Sequence, residues 1–204
     1  MAINREFFFA HVRSNLFAGK LSRKQVEGLI FILDVWEASH AQKDDRWLAY
    51  ALATAYHETA FTMQPIHEFG GNRYFHKRYD ITGQHPPIAR ALGNTQPGDG
   101  IRFHGRGYVQ LTGRRNYTLM GTAFNRDLTT SDAAADGALE PALAARIMFR
   151  GMENGLFTGK KLADYFRGNV SDWINARRII NRLDRAEKIA QYSKDFYAAI
   201  SYTV

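Results

Sequence analysis

Two glutamates ten residues apart, Glu58 and Glu68, are the first side chains in this sequence that suggest a specific chemistry. Glu58 stands at the predicted end of an apolar helix, where burial and the negative helix terminus both disfavour ionisation. Glu68 is predicted on a loop, because Gly70–Gly71 follows it. An acid and a base carboxylate about 6.5–9.5 Å apart are what inverting glycoside hydrolysis needs. On spacing alone, however, an exposed or arginine-paired Glu58 and a solvated Glu68 are the more common roles.

A second group of candidate ligand-binding residues lies in the segment Gly105–Tyr117. The glycines of Gly105–Gly107 allow the backbone to approach a ligand closely. Gln110, Thr112 and Asn116 offer neutral hydrogen bonds that suit sugar hydroxyl and acetamido groups, and Thr112 can hold an attacking water. A glycine-bounded hairpin with a solvated basic turn explains the same residues without a ligand.

Histidines form a third candidate group, clustered in the loop-rich half of the chain: His57, His67, His76, His85 and His104. Together with Glu58 or Glu68 they suggest a zinc site, which would make the protein a metal-dependent amidase. The pattern His-Glu-x-x-His is absent, and His57 and Glu58 are adjacent, so on a helix they diverge. We therefore expect no metal, and we expect His57 to orient the acid or pack beside it.

The elements that must hold these residues are predicted to be mainly helical. Ser22–Gln25 matches a capping box and begins a helix that ends near Ser39. A second helix is predicted over Asp45–Thr59. Across Phe61–Gly107 the periodicity fades and Gly and Pro are frequent, so a loop-rich insert is predicted there. Tyr108–Thr112 alternates and is predicted to be extended.

Helices are predicted again in the second half of the chain. One begins at Pro141, and the others cover Lys160–Phe166, Ser171–Asn181 and Asp184–Ile200. The small, polar segment Thr129–Gly137 is predicted to be a surface loop. No repeat, low-complexity tract or linker divides the chain, so we expect a single catalytic domain over residues 1–204.

The composition restricts the class of partner. The chain has 204 residues, 45% hydrophobic residues, a formal net charge of +7 and no cysteine. Disulfides and thiolate metal sites are therefore excluded. The positive charge favours nucleic acid, anionic lipid or an acidic wall polymer, although a basic protein without such a partner fits it equally well. No nucleic-acid-binding signature is present, so we expect the pairs Arg114–Arg115 and Arg177–Arg178 to be solvated or salt-bridged.

Three motifs in this order and spacing carry a family resemblance: His57–Thr59, Gly105–Thr112 and Arg178–Asn181. Gly93–Gly100 is also similar to phage-type members. On these motifs the chain, over Ser22–Tyr197, resembles glycoside hydrolase family 19, which contains chitinases and phage endolysins. The resemblance implies a mainly α-helical, lysozyme-like, two-lobed domain with a central substrate cleft and no cofactor.

The resemblance also implies roles for individual residues. It implies an inverting mechanism with Glu58 as general acid, Glu68 as general base and Thr112 positioning the water. Asp80 is a second candidate for the base, because the spacing of the two carboxylates varies in the family. The implied substrate-binding residues are His57, Tyr108, Gln110, Asn116, Asn181 and Lys188. Arg182–Leu183 replaces the usual glycines after the final Asn, so the contacts there are expected to differ.

We therefore expect an endolysin that hydrolyses the β-1,4 bond between N-acetylmuramic acid and N-acetylglucosamine in peptidoglycan. Peptidoglycan is preferred over chitin because cysteines are absent, phage-type motifs are present and the charge suits an anionic wall and membrane. A chitinase is the alternative, and a zinc amidase or a polyanion-binding protein is less expected. The segment Met1–Phe9 does not match a signal peptide. We therefore expect a monomer made in the bacterial cytoplasm that reaches the wall through a permeabilised membrane.

Overall fold

The computed structural model describes residues 3–201, so Met1 and Ala2 of the segment tested for a signal peptide lie outside it. The described residues form ten α-helices and four strands of two residues each, which confirms the mainly α-helical prediction. The chain divides into two compact units. Of the described residues, the first unit contains 3–64 and 148–201, and the second contains 65–147.

The helices vary in length from four to seventeen residues. In chain order they are α1 (Arg5–Asn15), α2 (Arg23–Ser39), α3 (Asp45–Glu58), α4 (Asn72–Tyr79), α5 (Pro86–Ala91), α6 (Asp99–Arg102), α7 (Arg114–Phe124), α8 (Asp132–Asp136), α9 (Pro141–Asn154) and α10 (Ala186–Ile200). The strands are β1 (Ile66–His67), β2 (Arg106–Gly107), β3 (Phe166–Arg167) and β4 (Val170–Ser171). Single 3₁₀ turns cover Gly137–Leu139, Leu162–Asp164 and Asn175–Ile179. None of the described helices combines the length and apolar character needed to cross a membrane.

The central helix of the first unit is α3. The nine consecutive residues Leu48–Tyr56 are all buried, so this helix is enclosed on every side, and α10 packs against it. The predicted range is confirmed to within one residue, since Thr59 is the C-cap. The predicted capping box of α2 is also confirmed, because the Ser22 and Gln25 side chains each accept the other's backbone N–H. Glu58 is therefore the last residue of a buried, well-anchored helix.

The turn that follows Glu58 is fixed by unusual backbone conformations. Ala60, Phe61 and Met63 have φ values of 49°, 68° and 53°, a region that side chains other than glycine rarely adopt. The Thr59 hydroxyl accepts a hydrogen bond from the Met63 backbone N–H at 3.1 Å. Gly28 of α2 makes room for this turn, because a Cβ atom there would lie 1.7 Å from the Met63 carbonyl oxygen. The end of α3 is thus held against α2.

The second unit contains α4 to α8 and the antiparallel pair β1–β2, in which Ile66 faces Gly107 and His67 faces Arg106. The prediction of a loop-rich insert missed the short helices α4, α5 and α6. They contain one or two buried residues each, so they lack the apolar stripe by which helices are recognised in sequence. The segment predicted as a surface loop, Thr129–Gly137, likewise contains α8.

The prediction of an extended segment at Tyr108–Thr112 is wrong. Residues 108–110 form a turn, in which Gln110 has a φ of 55°. The chain reverses there, so that the backbones of Arg106 and Leu111 exchange two hydrogen bonds of 3.1 and 2.8 Å. Gly107, with a φ of 97°, permits the reversal because glycine adopts positive φ without a steric penalty.

The C-terminal region corrects two further predictions. Lys160–Phe166 contains only a 3₁₀ turn before β3, and Ser171–Asn181 contains the end of β4 and a second 3₁₀ turn. A tight turn at Gly168 pairs β3 with β4, which competes with helix formation. The helix predicted from Pro141 is confirmed, and the last helix starts at Ala186, two residues later than predicted.

Candidate active site

The predicted acid, Glu58, is held by an arginine of the same unit. Its Oε1 accepts a hydrogen bond of 2.7 Å from Nη1 of Arg177, which lies in the 3₁₀ turn Asn175–Ile179. The Arg177 side chain is 3% exposed and that of Glu58 is 21% exposed. This charge-assisted hydrogen bond holds the Glu58 carboxyl group in one orientation at the end of α3. The arginine pairing that the sequence left open for Glu58 is therefore observed.

Arg177 is itself anchored. Its Nε donates to the Asp184 carbonyl oxygen at 3.0 Å, and its own carbonyl oxygen accepts from the backbone N–H of Asn181 at 3.0 Å. The arginine thus connects Glu58 to the segment that carries the predicted substrate-binding residue Asn181. The Asn181 side chain is exposed, and its Oδ1 accepts the backbone N–H of Arg182 at 2.8 Å.

His57 and Lys188 share this electrostatic environment. Burial lowers the pKa of His57, the Glu58 carboxylate raises it, and the charges of Arg177 and Lys188 lower it further. The net direction is downward, so the imidazole is neutral near pH 7. The ammonium of Lys188 also lies 5.8 Å from the ring centre of Tyr192. The first unit therefore brings together three predicted site residues, Glu58, His57 and Lys188.

The predicted base, Glu68, is held by donors from its own unit. Its Oε1 accepts from the Tyr79 hydroxyl at 2.7 Å, and its Oε2 accepts from the Gly105 backbone N–H at 3.1 Å. The Glu68 backbone N–H donates in turn to the Gly105 carbonyl oxygen at 2.8 Å. Burial and the bond to Glu68 raise the pKa of Tyr79, so the phenol remains a donor. These two donors fix the orientation of the Glu68 carboxylate within its unit.

The carboxylate of Asp80, the second candidate for the base, is occupied by hydrogen bonds within the protein. It is fully buried, and its oxygens accept from both the backbone N–H and the hydroxyl of Thr82 and from the backbone N–H groups of Gly98 and Gly100. Burial alone would raise the pKa of Asp80, but these hydrogen bonds outweigh it and lower the pKa. A carboxylate with both oxygens occupied by the protein is poorly suited to activating water.

The segment Gly93–Gly100, which carried the likeness to phage-type members, positions the tyrosine that holds Glu68. The Asn94 amide donates to the Tyr79 carbonyl oxygen at 2.9 Å and accepts from the Arg114 backbone N–H at 2.8 Å. The Arg114 side chain pairs with the buried Asp99. This network explains why polar residues occur together in a segment without helical periodicity.

Gly105 occupies a narrow space between two candidate site residues. A Cβ atom there would lie 2.6 Å from Gln110 Oε1 and 3.0 Å from Glu68 Oε2. Gln110 Oε1 is buried and has no hydrogen-bond partner, although buried polar atoms normally have one. The Thr112 hydroxyl donates to the Gln110 carbonyl oxygen at 2.9 Å, and the Asn116 amide donates to the Thr112 carbonyl oxygen at 2.8 Å. The second unit therefore places Glu68, Gln110, Thr112 and Asn116 around one turn.

Tyr108 differs from the other predicted substrate-binding residues. Its side chain is 0% exposed, burial raises its pKa, and its hydroxyl has no hydrogen-bond partner. This burial does not support direct contact with a ligand.

Two of the clustered histidines interact in the second unit. His67 Nδ1 lies 3.0 Å from His104 Nε2, and His104 Nδ1 lies 2.6 Å from the Ile101 carbonyl oxygen. Since the carbonyl can only accept, His104 carries its proton on Nδ1 when neutral, and His67 donates to it. Across residues 3–201 no three His, Asp or Glu side chains are grouped so that they could hold a metal ion.

Sequence reasoning missed two residues that hold the candidate carboxylates, Arg177 beside Glu58 and Tyr79 beside Glu68. The sequence indicates Arg177 only as one member of a solvated or salt-bridged pair, of which the salt bridge is observed, and it does not single out Tyr79. Neither has a local signal, because their partners lie 119 and 11 positions away along the chain.

The fold is similar to that of chitinase C from Streptomyces griseus HUT6037. The TM-score is 0.57 at 18% sequence identity, and the match covers 99% of this chain and 78% of the chitinase chain. For a mutant of chitinase C the TM-score is 0.54 at 17% identity, covering 99% and 94% of the two chains. No family model and no curated protein sequence matches the chain. The lysozyme-like helical fold class expected from the sequence is therefore confirmed.

Proposed function

We propose that the protein is a glycoside hydrolase of family 19 type that cleaves the β-1,4 bond between N-acetylmuramic acid and N-acetylglucosamine in peptidoglycan. The observation that carries the proposal is the contrast between its acidic residues. Glu58 and Glu68 are each partly exposed and are held by one and two donors respectively, whereas Asp80 is buried and accepts four hydrogen bonds. The fold likeness to a chitinase supports the same reaction class.

In the proposed inverting mechanism, Glu58 donates a proton to the leaving glycosidic oxygen as the bond to the anomeric carbon breaks. Arg177 then stabilises the carboxylate that this transfer creates, so its contribution grows along the reaction. Glu68 removes a proton from the water that attacks the anomeric carbon from the opposite face, and Thr112 helps to hold that water. The new reducing end has inverted configuration. His57, Gln110, Asn116, Asn181 and Lys188 bind the sugar units.

Peptidoglycan and chitin both contain β-1,4 bonds between amino sugars, and different observations favour each as the substrate. The net charge of +7 suits an anionic wall polymer, and the Gly93–Gly100 segment resembles phage-type proteins. The fold likeness to chitinase C favours the alternative, a chitinase. Incubation with purified peptidoglycan and with chitin oligomers, followed by mass spectrometry of the new reducing ends, separates them. Cleavage of chitin alone would overturn the choice of peptidoglycan.

Two alternatives, a zinc amidase and a polyanion-binding protein, predict assay results that differ from those of a glycoside hydrolase. A zinc amidase would lose activity in EDTA and would release new amino termini instead of reducing ends. A polyanion-binding protein without catalysis would retain its function after Glu58→Gln.

The proposal includes a place of action. The protein would be made as a monomer in a bacterial cytoplasm and would act on the wall after another protein permeabilises the membrane, with an anionic membrane surface as a second partner. Lysis of cells only when a membrane-permeabilising agent is added would support this order. Lysis by the protein alone, expressed without such an agent, would contradict it.

A further inference from the structure

A pocket lies in the first unit, at the opposite end of α3 from Glu58. It has a volume of about 700 Å³, within the roughly 300–1,000 Å³ typical of ligand pockets. Its walls come from the start of α3, the β3–β4 turn and α10. Since α3 spans the fourteen residues Asp45–Glu58 and rises about 1.5 Å per residue, the pocket lies about 20 Å from Glu58. We call it the α3 N-terminal pocket.

One wall of the pocket is held in place because Arg46 connects the start of α3 to the β3–β4 hairpin. Its Nε donates to Asp44 at 2.8 and 3.0 Å, and its Nη2 donates to Asp44 and to the Gly168 carbonyl oxygen. Its Nη1 donates to the Val170 carbonyl oxygen at 2.9 Å and to the Ser171 hydroxyl at 2.7 Å. All the guanidinium nitrogens are thus used, and its charge is compensated by Asp44. Arg46 therefore shapes the pocket and leaves recognition to the other residues.

Two aromatic side chains contribute apolar surface with polar groups at its edge. The rings of Trp173 and Tyr197 lie 5.7 Å apart at 50°, and Trp173 is supported from behind by buried Phe166 at 4.8 Å. Neither the indole N–H of Trp173 nor the hydroxyl of Tyr197 bonds to another described residue. Fixed aromatic rings with free polar groups supply large contact area at a low entropic cost, and suit the apolar faces and hydroxyl groups of a sugar ring.

The charges that face the pocket favour an anion. Lys43 and Lys194 are exposed and form no ion pair with any residue between 3 and 201. Lys43 only approaches the Trp47 ring, at 5.8 Å. Of the two acidic residues that line the pocket, Asp44 is bonded to Arg46, which leaves Asp45 as the acceptor for hydroxyl or amide groups. Two unpaired ammonium groups outweigh this single carboxylate.

We propose that the α3 N-terminal pocket is a second glycan-binding site, which takes a saccharide unit that carries a carboxylate or a phosphate. This inference rests on the proposed function, because the ligand belongs to the same wall polymers. A second contact about one helix length from the acid keeps the enzyme on an insoluble polymer between cleavage events, by raising the effective concentration of the strand. Trp173 and Tyr197 bind the sugar ring, and Lys43 and Lys194 bind its anionic group.

Three matched sugars test the site on the intact protein. N-acetylglucosamine is neutral, N-acetylmuramic acid adds a carboxylate, and N-acetylglucosamine 6-phosphate adds a phosphate. Each is titrated while the indole N–H signal of Trp173 is followed by NMR, with Trp173→Phe used to assign that signal. We expect both anionic sugars to shift it and to bind about tenfold more tightly than the neutral sugar. The tighter of the two anionic sugars identifies the source of the ligand.

The double variant Lys43→Gln/Lys194→Gln should lose this preference for anionic sugars. The matched control is Lys160→Gln, an exposed lysine of the same unit that lies outside the pocket, and it should bind like the wild type. An unmoved Trp173 signal, or an anion preference that survives in the double variant, would overturn the proposal.

A kinetic arm separates this inference from the proposed function. The lysine double variant should degrade insoluble peptidoglycan several-fold more slowly, yet retain wild-type kcat on short soluble fragments. If the double variant matched the wild type on both the insoluble and the soluble substrate, the second site would be refuted and the proposed reaction would stand. If the wild type bound the anionic sugars at Trp173 but cleaved no glycan, the proposed function alone would be contradicted.

Discussion

Replacement of Arg177 by methionine is the perturbation whose size follows most directly from the structure. At 2.7 Å, with an effective dielectric constant of about 20, the attraction between Arg177 and Glu58 is about 6 kcal/mol. Burial of the two charges offsets much of this, so the net value of the pair is small. Removal of one partner alone reduces stability more, because the remaining charge loses its counterion. Such losses are about 3–5 kcal/mol for buried pairs.

The lower end of that range applies here, because Glu58 is 21% exposed and water can reach the orphaned carboxylate. We therefore expect Arg177→Met to reduce the free energy of unfolding by about 3 kcal/mol. In a chain of 204 residues this corresponds to a fall in Tm of about 6–12 °C. Urea unfolding followed by circular dichroism measures the first quantity, and a thermal scan measures the second.

A double-mutant cycle assigns the loss to the ion pair. Glu58→Gln keeps an amide oxygen that can still accept from Arg177, so it should cost about 1 kcal/mol. The double variant leaves no orphaned carboxylate, and the coupling energy should be about 1–3 kcal/mol. Arg178→Met is the matched control, because Arg178 is exposed and has only a 3.4 Å bond to Asn175, so its effect should stay below about 0.5 kcal/mol. A coupling energy indistinguishable from zero would refute the reasoning.

Three further predictions concern other parts of the account. Gly28→Ala should lower the free energy of unfolding by about 1–3 kcal/mol, because the new Cβ atom would meet the Met63 carbonyl oxygen. Alanine otherwise favours helices, so a gain in stability on urea unfolding would contradict this prediction. Because burial lowers the pKa of His57, its neutral form stabilises the fold at neutral pH, and this contribution is lost as the pH falls below about 6.5 and through the lowered pKa. His57→Gln should therefore lose less stability than the wild type between pH 7 and pH 5, and identical slopes would be contrary. Glu68→Gln should reduce kcat about 10²–10⁴-fold with little change in Tm, whereas Asp80→Asn should lower Tm and spare kcat; the reverse pattern would make Asp80 the base.

The long helices could be predicted because their burial pattern is local. The capping box at Ser22 and the apolar run of α3 are visible in the sequence, and both occur where expected. The short helix α4 could not be found in this way, since only Phe75 is buried and a single apolar residue shows no period. The alternation of apolar and polar residues at 108–112 predicts a strand, but the chain forms a turn at residues 108–110. The alternation there reflects burial in a reversed chain and not the pairing of an extended strand.

The contacts that orient the two carboxylates were harder to predict than the carboxylates themselves. Arg177 and Arg178 are identical in type and adjacent, yet one is buried against Glu58 and the other is exposed. Which of them faces inward depends on the 3₁₀ turn that carries them, where a helix was expected. The role of Tyr79 likewise depends on a tertiary contact, in which the end of α4 lies beside Glu68, the residue that follows β1.

The most direct test of the central claim is the turnover of Glu58→Gln on soluble fragments of the polymer that the wild type cleaves. The substitution preserves the shape of the side chain and removes its ability to donate a proton to the glycosidic oxygen. The account predicts a fall in kcat of about 10²–10⁴-fold or more, with a circular dichroism spectrum like that of the wild type. Turnover close to that of the wild type would contradict the assignment of Glu58 as the catalytic acid.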